Sequence, residues 1–168
     1  MPVLQDCEWL GDAGLADRFF AALDPAGSMV AVVGFTMKRH RLSDGGLTAC
    51  LIRGCTTPGA HQHAASWLIS RACRALRRDG VRKIIAYSDV LAGERGVIYR
   101  AAGFKLAEMK AKTRFRVRPP GIRWHQHGLC YSDRWLRHGG RNWSHATARA
   151  NGFKVERIPQ RQRWERHL

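Results

Sequence analysis

The sequence contains no long apolar run and is poor in acidic side chains. Of its 168 residues, 13 are Asp or Glu and 29 are Lys or Arg, which gives a formal net charge of +16 at pH 7. No apolar segment approaches the roughly 20 residues that a membrane-spanning helix requires. The first ten residues carry acids and no basic n-region, so a signal peptide is not expected. These absences predict a cytoplasmic protein with no membrane partner.

Cysteine is scarce and scattered, and no two cysteines have the C-x-x-C spacing of a zinc knuckle. An odd number of thiols without paired spacing is typical of reduced, mostly buried side chains in a cytosol. The five positions are Cys7, Cys50, Cys55, Cys73 and Cys130.

The positive charge is concentrated in the C-terminal part of the chain. Residues 1–104 hold 13 basic and 9 acidic side chains, a net charge of +4, whereas residues 105–168 hold 16 basic and 4 acidic ones, a net charge of +12. Like charges repel in a compact state, so folding alone does not call for this excess. A polyanion relieves the repulsion, and the charge therefore favours nucleic acid as a partner. A solvated basic surface with no specific partner is the alternative.

The hydrophobic pattern predicts a mixed α/β domain. Hydrophobic residues make up 45% of the chain, enough for one packed domain. Period-two and short apolar runs predict strands at residues 18–23, 29–36, 47–53, 83–88, 104–110, 113–118 and 154–158. Helical spacing predicts helices over residues 64–78 and 94–102, with shorter ones beginning near Ser132 and Ser144.

The helix over residues 64–78 has two chemically different faces. Apolar side chains expected to face the core are Leu68, Ile69, Ala72, Cys73 and Leu76. Arg71, Arg74 and Arg78 fall on the opposite side.

A break at Pro119-Pro120-Gly121 suggests a division of the chain into a core, residues 1–118, and a basic extension, residues 119–168. The extension is rich in tryptophan and arginine. We expect it to pack on the core without forming an independent core of its own.

The order of elements resembles the GNAT acyltransferase fold, and residues 83–104 carry the most specific part of that resemblance. They read KIIAYSDVLAGERGVIYRAAGF, a strand, a polar loop, a short helix carrying Tyr99, and a Gly-Phe turn. The resemblance implies a GNAT-like mixed central sheet flanked by helices, with the tyrosine near the cofactor thioester. The phosphate loop departs from the family pattern because Gly59 is the one late glycine before His63. The start of the helix at residue 64 still offers free N–H groups and the positive end of a helix dipole.

Further motifs resemble the Mom family of phage DNA-modification proteins, which are related to GNAT proteins. These motifs are Leu51-Ile52-Arg53, His63-Ala64-Ala65-Ser66, Tyr87-Ser88-Asp89, Gly96-Val97-Ile98-Tyr99 and the run from Val155 to Trp164. The resemblance implies conversion of adenine in DNA to an N6-carbamoylmethyl form, which protects phage DNA from restriction. It also implies acetyl-CoA or a related acyl-CoA as cofactor, with iron as a possible addition, and double-stranded or locally opened DNA as partner.

The resemblance implies site residues as well. The catalytic set is Asp89, Tyr99 and Ser66. The cofactor-binding set is Arg53, Gly59, His63, Ala64, Ala65 and Ser66. Basic side chains expected to contact nucleic acid are Arg114, Arg116, Arg118, Arg123, Arg134, Arg141, Arg161 and Arg163. No residue is assigned to a metal, because no further side chain is expected to complete the ligand shell of the pairs His61/His63 and His125/His127.

Two other functions are consistent with the same residues. A conventional GNAT N-acetyltransferase could act on an amine of a protein or RNA. A non-catalytic nucleic-acid-binding protein could retain the fold without the chemistry.

Overall fold

The computed structural model describes residues 16–37, 46–108, 114–121, 131–132, 136 and 142–168. Contacts group the chain into two compact units. The first comprises Met1–Tyr87, Gly96–Glu108 and Arg163–Leu168, and the second comprises Ser88–Arg95 and Met109–Gln162. The contacts thus divide the chain differently from the boundary expected after residue 118. No helix in the described ranges is both long and apolar enough to span a membrane.

The described strands are β1 (Arg18–Leu23), β2 (Met29–Thr36), β3 (Leu47–Thr56), β4 (Val81–Ser88), β5 (Lys105–Leu106), β6 (Arg114–Arg118), β7 (Tyr131–Ser132), β8 (Lys154–Ile158) and β9 (Gln162–His167). The described helices are α1 (Ala64–Arg78), α2 (Val97–Ala101) and α3 (His145–Ala150), with a 3-10 turn at Val90–Ala92.

A six-stranded mixed sheet forms the first unit, in the order β1-β2-β3-β4-β9-β5. β1, β2 and β3 are consecutive antiparallel neighbours, whereas β3 and β4 are parallel. The parallel pair requires a crossover, and α1 supplies it. This confirms the predicted α/β class with a mixed central sheet.

The β1–β2 hairpin and α1 have the bounds that the sequence pattern predicts. The hairpin turn is closed by Asp24, whose Oδ1 accepts a hydrogen bond from the Ser28 N–H at 2.8 Å. α1 ends at Asp79-Gly80, where Gly80 adopts a φ of +85° that L side chains rarely adopt. Side chains of α1 packed into the core are Leu68, Ile69, Ala72, Cys73 and Leu76, as predicted.

The second unit has its own sheet and its own apolar cluster. Its strands have the order β7-β6-β8, with β6 antiparallel to both neighbours. Val117, Leu136 and Ala148 are buried together, and Trp143, Phe153 and Val155 pack against them. Because Val117 precedes the expected boundary after residue 118, this cluster does not belong to residues 119–168 alone, and the expectation that the extension has no core of its own stays a prediction. β6 is the middle strand of this sheet and pairs with β8. Val117 of β6 is buried in the same cluster as Ala148 of α3.

Three other expectations differ from the structure. The helix predicted over residues 94–102 is shorter, because it begins after Gly96, whose φ is +68°. Ser132 lies in strand β7, paired with Arg116, where a helix start was expected, and the residues that directly follow it lie outside the described ranges. Ser144 does cap α3, since its hydroxyl accepts a hydrogen bond from the Thr147 N–H at 3.0 Å. The strand predicted over residues 104–110 is reduced to β5 in the described range.

Candidate active site

The strands β3 and β4 separate part-way along their length. Their residue pairs run from Leu47 with Val81 to Leu51 with Ala86. β3 then continues to Thr56 and pairs with β2 on its other side. No strand of the described ranges pairs with β3 beyond Leu51 on the β4 side, so main-chain amide and carbonyl groups there can bind a ligand.

An irregularity in the β2–β3 pairing lies at the same place. Gly34 pairs with Arg53 and Phe35 pairs with Leu51, which leaves Ile52 as an extra residue in β3. Such bulges bend a strand and re-aim its side chains, and they are frequent beside active sites. A side chain at Gly34 would approach the Phe19 ring to 2.8 Å, so the close packing of β1 on β2 requires glycine there.

Arg53 is the predicted site residue that lies closest in sequence to this separation. It is half-buried, and its Nη1 donates to the Ile52 carbonyl oxygen at 2.8 Å. The guanidinium is thus held against its own strand, in the part of β3 that has left β4.

The N-terminus of α1 carries main-chain donors available to an anion. His63 is the N-cap and makes no side-chain capping hydrogen bond, and the first turn contains no acidic residue. The Ala64 N–H is occupied by the His61 carbonyl oxygen at 2.8 Å. Within the described ranges the N–H groups of Ala65 and Ser66 have no acceptor. These donors and the positive end of the helix dipole make a position suited to a phosphate group.

The preceding loop turns sharply at Pro58-Gly59 before it reaches this helix. Gly59 has a φ of +81°, and the Ala60 N–H donates to the Thr57 carbonyl oxygen at 3.1 Å. Proline followed by a glycine with positive φ is typical of a type II turn. Gly59 thus shapes the loop, and the glycine-poor sequence still closes a turn ahead of α1.

The side chains at the start of α1 are engaged locally. The Ser66 hydroxyl donates to the His63 carbonyl oxygen at 3.1 Å, so the hydroxyl points back along the first turn. The His61 and His63 rings have centroids 5.3 Å apart, and His61 Nδ1 accepts a hydrogen bond from the His63 N–H at 3.2 Å. Both histidines are exposed.

Tyr99 lies on α2 in the first unit, with 8% of the residue exposed. Its ring packs near Phe104 and Trp164, with centroids 5.9 Å and 6.1 Å away. Its hydroxyl donates to the Tyr87 carbonyl oxygen at 3.4 Å. Because Tyr87 follows the last residue pair of β3 and β4, the phenol oxygen lies where those strands have separated.

Asp89 belongs to the second unit and is 3% exposed. One carboxylate oxygen, Oδ2, accepts hydrogen bonds from Arg161 Nε at 2.9 Å and Arg114 Nη2 at 3.3 Å. The other, Oδ1, accepts from the Leu91 N–H at 3.1 Å and so caps the 3-10 turn. Asp89, Arg114 and Arg161 therefore form one ion-paired group within the second unit.

Several arginines expected to contact nucleic acid are ion-paired within their own unit. Arg116 donates through Nε and Nη2 to Glu156 Oε2, at 2.9 Å and 2.5 Å. Arg163 pairs with Glu165 at 2.5 Å, and Arg114 and Arg161 pair with Asp89 as above. Arg118 lies at the end of β6 and is half-buried. Arg123, Arg134 and Arg141 lie outside the described residues.

Gly96 and Trp164 are two residues that shape the site and that sequence reasoning did not assign. A Cβ at Gly96 would overlap the Trp164 indole. Trp164 is 2% exposed and lies beside Tyr99, with the Arg100 guanidinium 5.9 Å from its ring centroid. Both residues lie within the motifs that carry the Mom resemblance, but their contact joins positions far apart in sequence.

Cys73 is buried and cannot serve as a thiol nucleophile. Burial raises the pKa of this thiol to about 11, although the Arg166 guanidinium acts in the opposite direction. The thiol is neutral at physiological pH and inert as a nucleophile.

The described residues do not fit an iron centre. No group of three or more His, Cys, Asp or Glu side chains in those ranges could hold a metal ion. The described residues therefore offer no ligand set for the iron that the resemblance implied as a possible cofactor.

Comparison with solved structures identifies the fold. An acetyltransferase from Bacillus subtilis, solved in complex with CoA, is similar with a TM-score of 0.55 and 12% identity, covering 100% of this chain and 93% of that chain. A ribosomal-protein-alanine N-acetyltransferase from Brucella melitensis gives 0.50 and 11% identity, covering 89% of this chain and 68% of that one. A GNAT superfamily phosphinothricin acetyltransferase from Sinorhizobium meliloti, in complex with AcCoA, has a TM-score of 0.50 and 15% identity, covering 89% of this chain and 60% of that chain.

The mixed sheet, the parted parallel strands and the crossover helix thus form a GNAT acetyltransferase fold. Within the GNAT class, the sequence identifies a narrower family. Residues 38–162, well over half of the chain, match the Mom protein family, and the chain belongs to that family. No curated protein matches it with significant similarity.

Proposed function

We propose that this protein is a DNA-modifying enzyme that attaches an acyl-derived group to the N6 nitrogen of adenine, giving the N6-carbamoylmethyl base that protects phage DNA from restriction. Membership of the Mom family is the observation that carries the proposal. The GNAT fold supports group transfer from an acyl-CoA, and the net charge of +16 supports a polyanionic substrate.

The first unit fits an acyl-CoA at two places. The N–H groups of Ala65 and Ser66 would hold its pyrophosphate at the α1 N-terminus. The freed edge of β3 beyond Leu51 would pair with the amide groups of its pantetheine arm. When bound, the cofactor would supply a thioester-activated acyl group. Attack of an amine on its carbonyl carbon forms an amide and releases the CoA thiol, whereas the terminal amide nitrogen of a carbamoylmethyl group has to come from a separate amine donor. The exposed His61 and His63 lie beside the phosphate position, since they immediately precede α1.

The Tyr99 hydroxyl has the geometry of a proton donor or an orienting group. Its ring is fixed by packing, and its oxygen lies at the end of β4, where the strands part. A hydroxyl held in this way can give up a proton to a leaving thiolate or hydrogen-bond a substrate atom, a contribution typically of 10²–10⁴-fold.

Asp89 is assigned an orienting role rather than that of a free base. Its Oδ2 already accepts two guanidinium hydrogen bonds and its Oδ1 a main-chain one. These hydrogen bonds use both carboxylate oxygens and hold the side chain in place.

The adenine amino group is a weak nucleophile, because its lone pair is delocalised into the ring. Its reaction therefore depends on precise positioning. In duplex DNA the base is stacked, so the enzyme is expected to act on a flipped or unpaired adenine.

The proposal is tested by the nucleosides of DNA from bacteria that express this chain. Plasmid DNA is digested to deoxynucleosides, which are separated and analysed by mass spectrometry. The proposal predicts a deoxyadenosine derivative in which a carbamoylmethyl group replaces one hydrogen. An unmodified adenine profile together with acetylated protein or RNA amines would instead support a conventional N-acetyltransferase. Unmodified DNA and no acetylated amine, with DNA binding intact, would support a binding protein that lacks catalysis.

Tyr99→Phe tests the tyrosine within this function. The ring packing is retained and the hydroxyl alone is removed, so we expect adenine modification to fall by at least about tenfold while the thermal midpoint changes little. Tyr87→Phe is the matched control, because the Tyr87 side chain is exposed and the substitution keeps the main-chain carbonyl that accepts the Tyr99 hydrogen bond. Equal modification by both variants would remove the assignment of Tyr99.

A further inference from the structure

The outward face of α1 carries three arginines in line. Arg71, Arg74 and Arg78 are all exposed, and at 100° per residue they lie within about 60° of one another around the helix. The buried side chains of α1 lie on the opposite side. We call these three residues the arginine stripe.

An aromatic ring extends the stripe by one turn. Trp67 is 52% exposed although it is large and apolar, and the Arg71 guanidinium lies 5.1 Å from its ring centroid. This cation–π contact restrains Arg71 before any ligand arrives. The three arginines line an open cavity of about 330 Å³ on this face.

The stripe is not neutralised by carboxylates in the part of the chain that the structure describes. α1 contains no acidic residue, and Asp79, which follows it, pairs with Arg18 at 2.8 Å. The C-terminal arginines differ, since Arg114 and Arg161 share Asp89 and Arg116 is paired with Glu156. The arginines of the stripe thus differ from these paired arginines in having no carboxylate partner in the described ranges.

We propose that the arginine stripe binds the phosphate backbone of DNA. The inference rests on the proposed function in taking DNA as the polyanion. A rise of 1.5 Å per residue places Arg71 and Arg78 about 10 Å apart along the helix, a length over which duplex DNA presents about six phosphate charges. Guanidinium groups bind phosphate oxygens through paired N–H donors, and this contact is independent of base sequence.

The stripe therefore holds the duplex without selecting the base. An acidic protein surface or the phosphates of free CoA could also meet these arginines, and the experiment separates those occupants from DNA.

The test compares the salt dependence of DNA binding in Arg74→Gln/Arg78→Gln with that of the unaltered chain. Binding to a fluorescent duplex of about 30 base pairs is followed by anisotropy from about 50 to about 200 mM salt. The control is Arg82→Gln/Lys105→Gln, which removes the same charge from two exposed positions in the same unit. Because each phosphate contact adds about 0.9 to the slope of log K against log salt concentration, the stripe variant should lose about 2 from that slope.

A slope change confined to the stripe variant, with thermal midpoints equal to that of the unaltered chain, supports the proposal. Equal changes in both variants would show a general charge effect and overturn it. Unchanged DNA binding would overturn it as well, even if titration with free CoA were weakened by the stripe substitutions.

Nucleoside analysis of the same variants keeps this inference apart from the proposed function. If the unaltered chain modifies adenine and the stripe variant binds DNA normally, the DNA-binding role of the arginine stripe is refuted and the proposed function stands. If no adenine is modified by any variant but the stripe substitutions reduce the salt slope, the function fails and the DNA-binding surface stands.

Discussion

At the scale of single residues, Tyr99 and Asp89 are both buried and differ in how their polar atoms are used. The Tyr99 hydroxyl makes a long hydrogen bond of 3.4 Å to a carbonyl oxygen at a strand end. The Asp89 carboxylate accepts hydrogen bonds from two guanidinium groups and a main-chain N–H. A carboxylate bonded at both oxygens is held in place, because contact with a substrate would first require some of these hydrogen bonds to break.

Asp89→Ala is expected to destabilise the folded protein. Removing the carboxylate leaves Arg114 and Arg161 without their shared acceptor and removes the cap of the 3-10 turn. Loss of one partner of a fully buried pair costs 3–5 kcal/mol, and the partial exposure of the arginines reduces the expected loss to about 2 kcal/mol. Urea unfolding at neutral pH measures it.

Asp79→Ala is the matched control for this measurement. It also breaks an Asp–Arg pair, with Arg18, but both partners are more than 40% exposed. The expected loss is below about 1 kcal/mol. If the two alanine variants had equal unfolding free energies, the structural role assigned to Asp89 would be refuted.

At the scale of elements, α2 shows how a distant strand determines where a helix begins. The sequence predicts a helix from residue 94, but the observed helix starts at Val97 because Gly96 has a φ of +68° and directly precedes it. The Trp164 indole of β9 fills the space where a Gly96 side chain would lie. The same indole packs on Tyr99, so this contact positions the candidate catalytic side chain.

Gly96→Ala is expected to destabilise the protein and to disturb the Tyr99 region. The positive φ costs about 1–2 kcal/mol for a residue with a Cβ, and overlap with the Trp164 ring adds about 1–3 kcal/mol, so the total loss is about 3 kcal/mol. Gly93→Ala has a similar φ of +78° but no atom within 4 Å of its added Cβ. Only the backbone cost is expected there. Equal thermal midpoints for the two variants would exclude the contribution of Trp164.

At the scale of the whole molecule, β9 is the last strand in sequence but lies inside the first sheet, between β4 and β5. It contributes Trp164 to the core and Glu165 to a pair with Lys83 at 2.6 Å. Burial raises the pKa of Glu165, but the Lys83 hydrogen bond and the charges of Arg163, Lys83 and His167 outweigh it, so the pKa lies below its usual value. The stabilisation from this carboxylate is present at neutral pH and is lost as the pH falls through that lowered pKa.

Deletion of residues 162–168 is expected to abolish cooperative folding of the first unit. The deletion removes a buried tryptophan and leaves the facing edges of β4 and β5 without their ladder hydrogen bonds. Circular dichroism and tryptophan fluorescence should lose their common thermal transition. A shorter deletion of Leu168 alone, which removes one hydrogen bond to the Arg82 carbonyl oxygen, is the control. A sharp transition near that of the full chain after the longer deletion would contradict the role of β9.

The local elements follow from local pattern. Short-range hydrophobic periodicity and turn residues are sufficient for β1, β2, α1 and β8, whose bounds match the predictions, and for the Ser144 cap. The motif from Lys83 to Phe104 also indicated the GNAT fold, because it combines a strand, a loop and a tyrosine-bearing helix at fixed spacing. The Mom family was indicated by this stretch together with motifs before and after it, from Leu51 to Trp164.

Tertiary structure decided which of the candidate residues are available to act. Asp89, Arg114 and Arg161 are separated in sequence and form one ion-paired group, whereas the arginine stripe of α1 has no acidic side chain in its own helix. Sequence gives the number of charges on a chain. Whether a charge is neutralised depends on distances of a few ångströms between distant segments, and only the folded chain brings those segments together.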